Sequence, residues 1–323
     1  MMKIKEIQMI LLIEIGTNTT KVLIAEKSSN NIVIKQEKIY FSRLGEDFYA
    51  TKNLSVVAME RNISIIDQII EENKNFEVSK TIIISTQVMR SAKNSQVFIE
   101  EVKKRFGIDI IVLSPEEEAL CAFRADEVFC PQRDENNVKN KIIIDIGGGS
   151  TEIVYKNEKG LLESKSFPIG SVFLKDKIGR DLYDFETIEN FINLTFQEIK
   201  RIVNNSIKKE QNNINYSNID KIIGVGGTFT TLVAIHKEIE KYDDTLIEGV
   251  SMSFIDVKNI LQKLKKHRIS ERSINIKGLS TDRADVIAFG ATILLFFLTE
   301  MRSLNFYTTC LGVRHGFLLN DSL

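Results

Sequence analysis

The sequence predicts an α/β protein of about two domains, and three observations support this prediction. The chain has 323 residues, which is enough for two buried cores at the usual size of a domain. Runs rich in Ile and Val alternate with helical patterns, as is typical of α/β proteins. A strand motif containing glycine occurs twice, which indicates that one domain has been duplicated.

The composition limits the partners that the protein can have. Hydrophobic residues make up 43% and charged residues 27% of the chain, which predicts a globular rather than a disordered protein. Basic and acidic residues nearly balance, at 43 against 44, so no overall positive field attracts nucleic acid or a membrane surface. The apolar stretch 286–298 is shorter than the roughly 20 residues of a membrane helix. We therefore expect a cytoplasmic protein.

Strands and helices alternate along the chain. Ile- and Val-rich runs predict strands at 9–15, 81–85, 108–113, 141–146 and 222–225. Helical patterns lie between most of them, at 54–70 and around 98–106. Two polar stretches, 133–141 and 204–218, are predicted to be surface loops. Three cysteines without CxxC spacing predict buried reduced thiols.

One segment of the chain is repeated. Residues 13–23 match residues 144–154, with acidic, glycine, hydroxyl and apolar positions in the same order. A second β-rich run follows each copy, at 21–25 and 153–155. Each copy is thus predicted to be a strand, a tight loop and a returning strand. Such a duplicated domain carries one phosphate loop in each half.

Three glycine-containing loops have the composition of phosphate-binding loops, because glycine lets the backbone approach an anion and successive N–H groups can bind it. The best match is the second loop, Gly147, Gly148, Gly149 and Ser150. The first loop, Gly16, Thr17 and Asn18, is a weaker version. A third, Gly226, Gly227 and Thr228, begins a predicted helix, whose free amides attract phosphate. A simple strand-to-helix turn is the alternative for this third loop.

Three carboxylates accompany these loops. Glu14 and Asp145 lie at the ends of the duplicated strands, and Glu152 lies on the returning strand. Carboxylates repel phosphate oxygens unless a divalent cation lies between them, so these residues predict a Mg²⁺ site. The alternatives are that Asp145 only caps the glycine turn and that Glu152 is an exposed strand residue.

A fourth carboxylate, Glu118, stands near the start of a predicted helix. Ser114 fits the N-cap, Pro115 the first helical position and Glu117 a capping box. Glu118 has no such capping role and is a candidate to face a cleft. A solvated helix carboxylate is the alternative.

Arg90 and Asn94 are four residues apart, which predicts that they share one face of a helix. A guanidinium in that position can bind a terminal phosphate, whereas an ordinary surface arginine is the alternative. The sequence contains no Gly-x-Ser-x-Gly elbow and no GxxxxGK[ST] loop, which excludes the usual serine hydrolases and P-loop NTPases.

These motifs together resemble the exopolyphosphatase and guanosine pentaphosphate phosphohydrolase (Ppx/GppA) family of the actin-like superfamily. The resemblance rests on eight segments, which follow one another in family order: 13–23, 85–94, 114–119, 144–152, 169–172, 226–228, 282–287 and 311–316.

The resemblance implies two actin-like, ribonuclease-H-like α/β domains flanking an interdomain cleft. We expect domain I to comprise 1–123 and 302–323, and domain II to comprise 124–301. The implied reaction is hydrolysis of the terminal phosphate of inorganic polyphosphate, or conversion of pppGpp to ppGpp, with Mg²⁺ as cofactor. The residue matching Glu118 would be the general base. Those matching Asp145 and Glu152 would lie near the metal, and those matching Arg90, Gly148, Gly149 and Ser150 near phosphate.

Two positions depart from the family pattern. Glu14 stands where the family usually has Asp, and Lys21 where an Arg is common. The chain resembles the short, two-domain members, and the family resemblance also predicts a homodimer. The departures leave open a non-catalytic sensor of polyphosphate or (p)ppGpp. The shared loops leave open a small-molecule kinase of the same superfamily.

Overall fold

The computed structural model describes residues 7–28, 31–130, 138, 140–156, 159–160, 162–209 and 219–320. The chain forms two compact units. Unit 1 comprises Met1–Ser114 with Asn320–Leu323, and unit 2 comprises Pro115–Leu319. The predicted boundaries differ from these, because 115–123 and 302–319 belong to the second unit rather than to the first.

The sheet of unit 1 has the strand order β3-β2-β1-β4-β5. Its strands are β1 (Gln8–Ile15), β2 (Thr20–Ser28), β3 (Asn31–Tyr40), β4 (Lys80–Ser85) and β5 (Ile110–Val112). The first three strands are antiparallel, and β4 and β5 are parallel to β1. The helices of this unit are α1 (Phe48–Thr51), α2 (Val56–Glu72), α3 (Gln87–Ser91) and α4 (Ser95–Phe106).

Helix α2 shows how the sequence defines an element of this unit. It begins at Val56 because the hydroxyl of Ser55 accepts the backbone N–H of Ala58 at 3.1 Å, which satisfies one of the free amides of the first turn. Its buried residues include Ile66 and Ile69, which pack in one apolar core with residues of β1 and β4.

Unit 2 contains the remaining elements. Its helices are α5 (Pro115–Phe129), α6 (Ser171–Ile178), α7 (Ile188–Lys209), α8 (Gly227–Lys237), α9 (Asp244–Ile247), α10 (Phe254–Lys265), α11 (Ile269–Asn275), α12 (Ile287–Glu300) and α13 (Val313–Phe317). Its strands are β6 (Lys141–Ile146), β7 (Thr151–Lys156), β8 (Leu162–Phe167), β9 (Lys221–Val225), β10 (Ser251–Ser253) and β11 (Asn305–Thr309). The strand order is β10-β11-β9-β6-β7-β8.

The two faces of this second sheet have different neighbours. Ile142 and Ile144 alternate with Ile143 along β6 and belong to a large core that includes most of α12. Ile143, together with Val154 of β7, packs instead with residues of α5. Because side chains alternate between the faces of a strand, Asp145 and Glu152 lie on the face that α5 covers.

The predicted duplication is confirmed. Both hairpins, β1–β2 and β6–β7, are antiparallel, and each parallel neighbour, β4 or β9, pairs with the first strand of its hairpin. In each loop the glycine N–H donates to the carbonyl three residues later: Gly16 to Thr19 at 2.9 Å and Gly147 to Ser150 at 3.0 Å. Both sheets share the order of a ribonuclease-H-like domain, and the predicted α/β fold class is confirmed.

The C-terminal segment joins unit 2 for two reasons. Strand β11 pairs in parallel with β9. Gly316 of α13 packs so closely on α5 that a Cβ at 316 would lie 1.8 Å from the carbonyl oxygen of Cys121. Strand pairing and helix packing both tie 305–317 to unit 2, and neither is visible in the local sequence pattern.

Some local predictions need correction. Residues 204–209 belong to helix α7 rather than to a loop, and 210–218 lie outside the described residues, as do 133–137 and 139 of the other predicted loop. None of the three cysteines forms a disulfide, and only Cys121 is buried, whereas Cys130 and Cys310 are partly exposed. None of the helices in the described part of the chain has both the length and the apolarity to cross a membrane.

Candidate functional site

Glu118 differs from the two glutamates that precede it. Helix α5 begins at Pro115, as predicted, and Glu116 and Glu117 are exposed. Glu118 is only 7% exposed, because its position on the helix places it on the face that packs against the sheet. The alternative of a solvated carboxylate is therefore wrong for Glu118.

Asp145 and Glu152 lie directly opposite each other across the β6–β7 hairpin. Both are buried, at 9% and 2% exposure, so Glu152 is not an exposed strand residue. Asp145 also contacts the third glycine loop, where a Cβ at Gly226 would lie 2.6 Å from its Oδ1 atom. Because Gly226 also has a φ of +92°, glycine is required there on both steric and conformational grounds.

The three carboxylates Glu118, Asp145 and Glu152 influence one another electrostatically. Burial, and then the charges of Glu118 and Asp145, raise the pKa of the Glu152 carboxyl well above its ordinary value. Hydrogen bonds from Ser150 and Ser166 oppose this rise, with Ser166 Oγ donating to Glu152 Oε1 at 2.8 Å. The two hydroxyls thus offset the effect of burial and of the neighbouring carboxylates only in part.

The second glycine loop is held from one side. Its carbonyl groups accept N–H groups from the start of α6, since Ser171 donates to Gly147 and both Val172 and Phe173 donate to Gly148, at 2.9–3.0 Å. Within the described part of the chain, the N–H groups of Gly148, Gly149 and Ser150 have no such acceptor. These amides are available to an anion.

The backbone of the second glycine loop packs closely against a further glycine, Gly170. A Cβ at Gly170 would lie 2.2 Å from the carbonyl carbon of Gly148 and 2.3 Å from the nitrogen of Gly149. Gly170 lies in a segment that carried the family resemblance but was assigned no role. It permits the contact that holds the phosphate loop.

The first glycine loop is held in a similar way within unit 1. The N–H groups of Arg43 and Gly45 donate to the carbonyls of Asn18 and Thr17 at 3.0 and 2.8 Å. Asn18 is 8% exposed, and its Nδ2 atom has no hydrogen-bond partner among the described residues. A buried amide donor without a partner is unfavourable unless a ligand accepts its hydrogen bond. This observation favours the predicted phosphate-binding role of Asn18.

The third glycine loop is a helix N-terminus with a basic neighbour. Helix α8 begins at Gly227, and a Cβ at that position would lie 2.1 Å from a guanidinium nitrogen of Arg283. Thr228 Oγ1 donates to the carbonyl of Ile146 at 3.4 Å. Burial lowers the pKa of the Arg283 guanidinium to about 10. Sequence reasoning assigned no role to Arg283, and its only signal was membership of the 282–287 motif.

Glu14 has a different partner from the one predicted. Its Oε1 atom accepts a hydrogen bond from Lys21 Nζ at 2.8 Å, and both residues lie opposite each other across β1–β2. The lysine already provides a positive charge beside this carboxylate, and the metal-binding role of Glu14 stays a prediction.

Arg90 and Asn94 do not share a helix. Helix α3 ends at Ser91, Ala92 is extended, and Asn94 precedes α4. Asn94 holds the backbone of Leu54, accepting its N–H at 2.7 Å and donating to its carbonyl at 2.9 Å, which is a structural role. Arg90 Nη1 donates to the carbonyl of Leu113 at 2.6 Å.

The carboxylates of unit 2 fit a magnesium ion only in part. Among the described residues, no group of three or more His, Cys, Asp or Glu side chains converges on one point where it could hold a metal. Magnesium usually binds through one or two carboxylates together with substrate phosphates and water. The buried, mutually repelling Asp145 and Glu152 provide such a pair, and the free amides of 148–150 lie on the loop that joins them.

The fold and this site define a ribonuclease-H-like α/β protein with paired phosphate-type loops and an acidic cluster. Residues 23–323 match the model of the Ppx/GppA phosphatase family. Since this match covers more than half of the chain, the protein belongs to that family, as the sequence predicted.

Individual relatives agree with this assignment. The chain is 33% identical over 299 residues to a bifunctional 3-dehydroquinate synthase/phosphatase of Fusobacterium nucleatum, covering 88% of this chain and 42% of that protein. It is 24% identical over 297 residues to a putative exopolyphosphatase of Haemophilus influenzae, covering 90% and 85%. A solved Ppx/GppA family structure from Aquifex aeolicus is 26% identical, covers 97% of both chains and has a TM-score of 0.74. The chain thus spans less than half of the Fusobacterium protein.

Proposed function

We propose that this protein hydrolyses the terminal phosphoanhydride bond of inorganic polyphosphate or of pppGpp. The supporting observation is the position of Glu118. This residue is buried beside the Asp145–Glu152 pair, and the second glycine loop joins the two strands that carry this pair. A buried carboxylate next to an anion-binding loop has the features of a general base for water.

Each group has a distinct task in this proposal. Glu118 accepts the proton of the attacking water and orients it in line with the leaving oxygen. The N–H groups of Gly148, Gly149 and Ser150 donate to the phosphoryl oxygens, where negative charge is greatest. Ser166 keeps Glu152 in place through its hydrogen bond.

Mg²⁺ is part of the proposal, with Asp145 and Glu152 as the residues that would hold it. When bound, the ion would offset the charge of the phosphate oxygens and of the carboxylates that face them. Glu14 is not included, because Lys21 already neutralises it.

The two substrates share the group on which this site would act. Polyphosphate and pppGpp both end in a phosphoryl group on an anhydride oxygen, and the loop amides recognise the phosphate alone. A cytoplasmic location, no nucleic-acid or membrane partner and a homodimeric state complete the proposal as expectations from the charge balance and the family.

Phosphate release from short polyphosphate, long polyphosphate and pppGpp, with and without Mg²⁺, tests the proposal. Glu118→Gln should reduce kcat about 100-fold or more with little change in KM, since it removes only the proton acceptor. Glu117→Gln is the matched control, because that neighbour is exposed, and it should retain full activity.

Two outcomes would contradict the proposal. Equal rates for Glu118→Gln and the natural protein would remove the assigned base. Binding of these substrates without phosphate release would favour the non-catalytic sensor.

A further inference from the structure

We propose that the buried ion pair between Lys141 and Asp126 is a positioning device that fixes helix α5 along the sheet and thereby places Glu118 beside Asp145 and Glu152. This inference rests on the proposed role of Glu118 and adds residues that do not touch the substrate. Lys141 Nζ and Asp126 Oδ2 are 2.9 Å apart, and their side chains are 4% and 1% exposed.

The pair lies at the opposite end of the helix from the acidic cluster. Glu118, Ala122 and Asp126 recur every four residues and are all buried, so they follow one face of α5. Lys141, Ile143 and Asp145 alternate along β6 and follow the face of the sheet that this helix covers. The buried face of α5 therefore lies along this face of β6, with Asp126 beside Lys141 at one end and Glu118 beside Asp145 at the other.

The spacing of the residues supports this assignment. Eight helical residues, from 118 to 126, rise about 12 Å. Four strand residues, from 141 to 145, rise about 13 Å. Pairing Asp126 with Lys141 therefore brings Glu118 level with Asp145. A slip of the helix by one turn would move Glu118 by about 5.4 Å and separate it from the site.

The contacts between the two ends differ in kind from the ion pair. They are apolar, and they involve Ala122 and Phe123 of α5 with Ile143 and Val154 of the sheet. Apolar burial is non-directional, whereas a buried pair of opposite charges is costly to separate and specifies a register. Phe123 adds to this end, since its ring centroid lies 5.4 Å from Lys141 Nζ.

A restraint is needed because Glu118 approaches two other carboxylates. Acidic side chains that are held close together repel one another. Repulsion at one end of the helix would favour a shifted or tilted helix, and attraction at the other end opposes that movement.

The test replaces the pair by apolar residues of similar size, Asp126→Leu with Lys141→Met, in the full chain. Such replacements usually keep or increase stability. We expect kcat for phosphate release to fall about tenfold or more with KM nearly unchanged, because the base is misplaced while the phosphate loop is intact. If this variant does not fold, Asp126→Asn with Lys141→Gln removes the charges while keeping polar side chains of similar size.

A second measurement does not depend on activity. In the natural background, Glu118→Gln should raise Tm by about 2–4 °C, because it removes one of three acidic groups that are held close together. In the background without the ion pair, the helix can relax and this gain should fall to about half or less. This double-mutant comparison of Tm values, here called the thermal cycle, can be measured even if no substrate is hydrolysed. Failure of the proposed function and failure of this inference are therefore distinguishable.

The pair between Lys156 and Glu127 provides the matched control. It lies at the same end of α5, but its side chains are 37% and 32% exposed, and partly exposed pairs contribute little. Lys156→Gln with Glu127→Gln should leave kcat and the thermal cycle unchanged. An equal Tm gain in both backgrounds, or an equal loss of kcat in the control, would overturn the inference.

Discussion

Glu152 lies opposite Asp145 across the β6–β7 hairpin at the register position where Lys21 lies opposite Glu14 across β1–β2. The duplicated scaffold thus holds an ion pair in unit 1, at 2.8 Å, and two acids in unit 2. A lysine compensates the carboxylate in the first case. In the second case neither partner of the pair carries a positive charge, which is the physical basis for proposing the Mg²⁺ site in unit 2.

Glu152→Gln should increase stability and abolish activity. Folding raises the pKa of this carboxyl above its unfolded value of 4.5, so the folded state binds more protons than the unfolded one. The contribution of Glu152 to stability therefore falls as pH rises above that value. The variant should lose this decrease and melt a few degrees higher at pH 8 in EDTA. Thermal unfolding from pH 4 to pH 8 measures this, with Glu117→Gln as the control. Identical pH profiles for Glu152→Gln and the natural protein would contradict the prediction.

Magnesium should stabilise the protein through unit 2 only. A ligand that binds the folded state raises Tm in proportion to the logarithm of its concentration. Asp145→Asn should reduce the Tm shift produced by Mg²⁺. Glu14→Gln, at the equivalent register position, should leave that shift unchanged although it breaks the pair with Lys21. Thermal melts over a series of Mg²⁺ concentrations decide the question. A Tm shift that depends on Glu14 and not on Asp145 would place the metal in unit 1 and contradict the prediction.

Gly170→Ala should disrupt the second phosphate loop. The added methyl would meet the backbone of Gly148 and Gly149 at 2.2–2.3 Å, and backbone atoms cannot move aside as a flexible side chain can. We expect a loss of about 1–3 kcal/mol of stability and a rise in KM. Gly312→Ala is a suitable control, since its Cβ would meet only ordinary contacts, the nearest at 3.5 Å. Comparable behaviour of the two variants would show that the close approach does not matter.

Particular residues show what the sequence could and could not predict. The two duplicated hairpins, the parallel strands β4, β5 and β9 and the start of α5 follow from periodicity and from helix-start signals, which are local. Strands β3, β8, β10 and β11 were not predicted. The pairing of Glu14 with Lys21 depends on strand register. The internal repeat aligns Lys21 with Glu152, so a comparison of the two copies already contained this pairing. Arg90 and Asn94 were misplaced because Ala92 is extended, and no Gly or Pro marks this break. The assignment of 302–319 depends on long-range pairing of β11 with β9, which local patterns do not encode.

Asn18→Ala and Asn94→Ala should have opposite effects, although both remove an amide side chain from unit 1. Asn18 Nδ2 is buried without a hydrogen-bond partner among the described residues, so its removal costs little stability and should raise KM about tenfold through loss of one bond to phosphate. Asn94 bonds the backbone of Leu54 in both directions, so its removal should cost about 1–3 kcal/mol of stability and leave KM unchanged. Denaturant unfolding and steady-state kinetics on both variants check this. A stable Asn94→Ala protein with raised KM, or an unstable Asn18→Ala protein with normal KM, would reverse the roles, because only an amide that lacks a partner in the fold is available to bind a substrate.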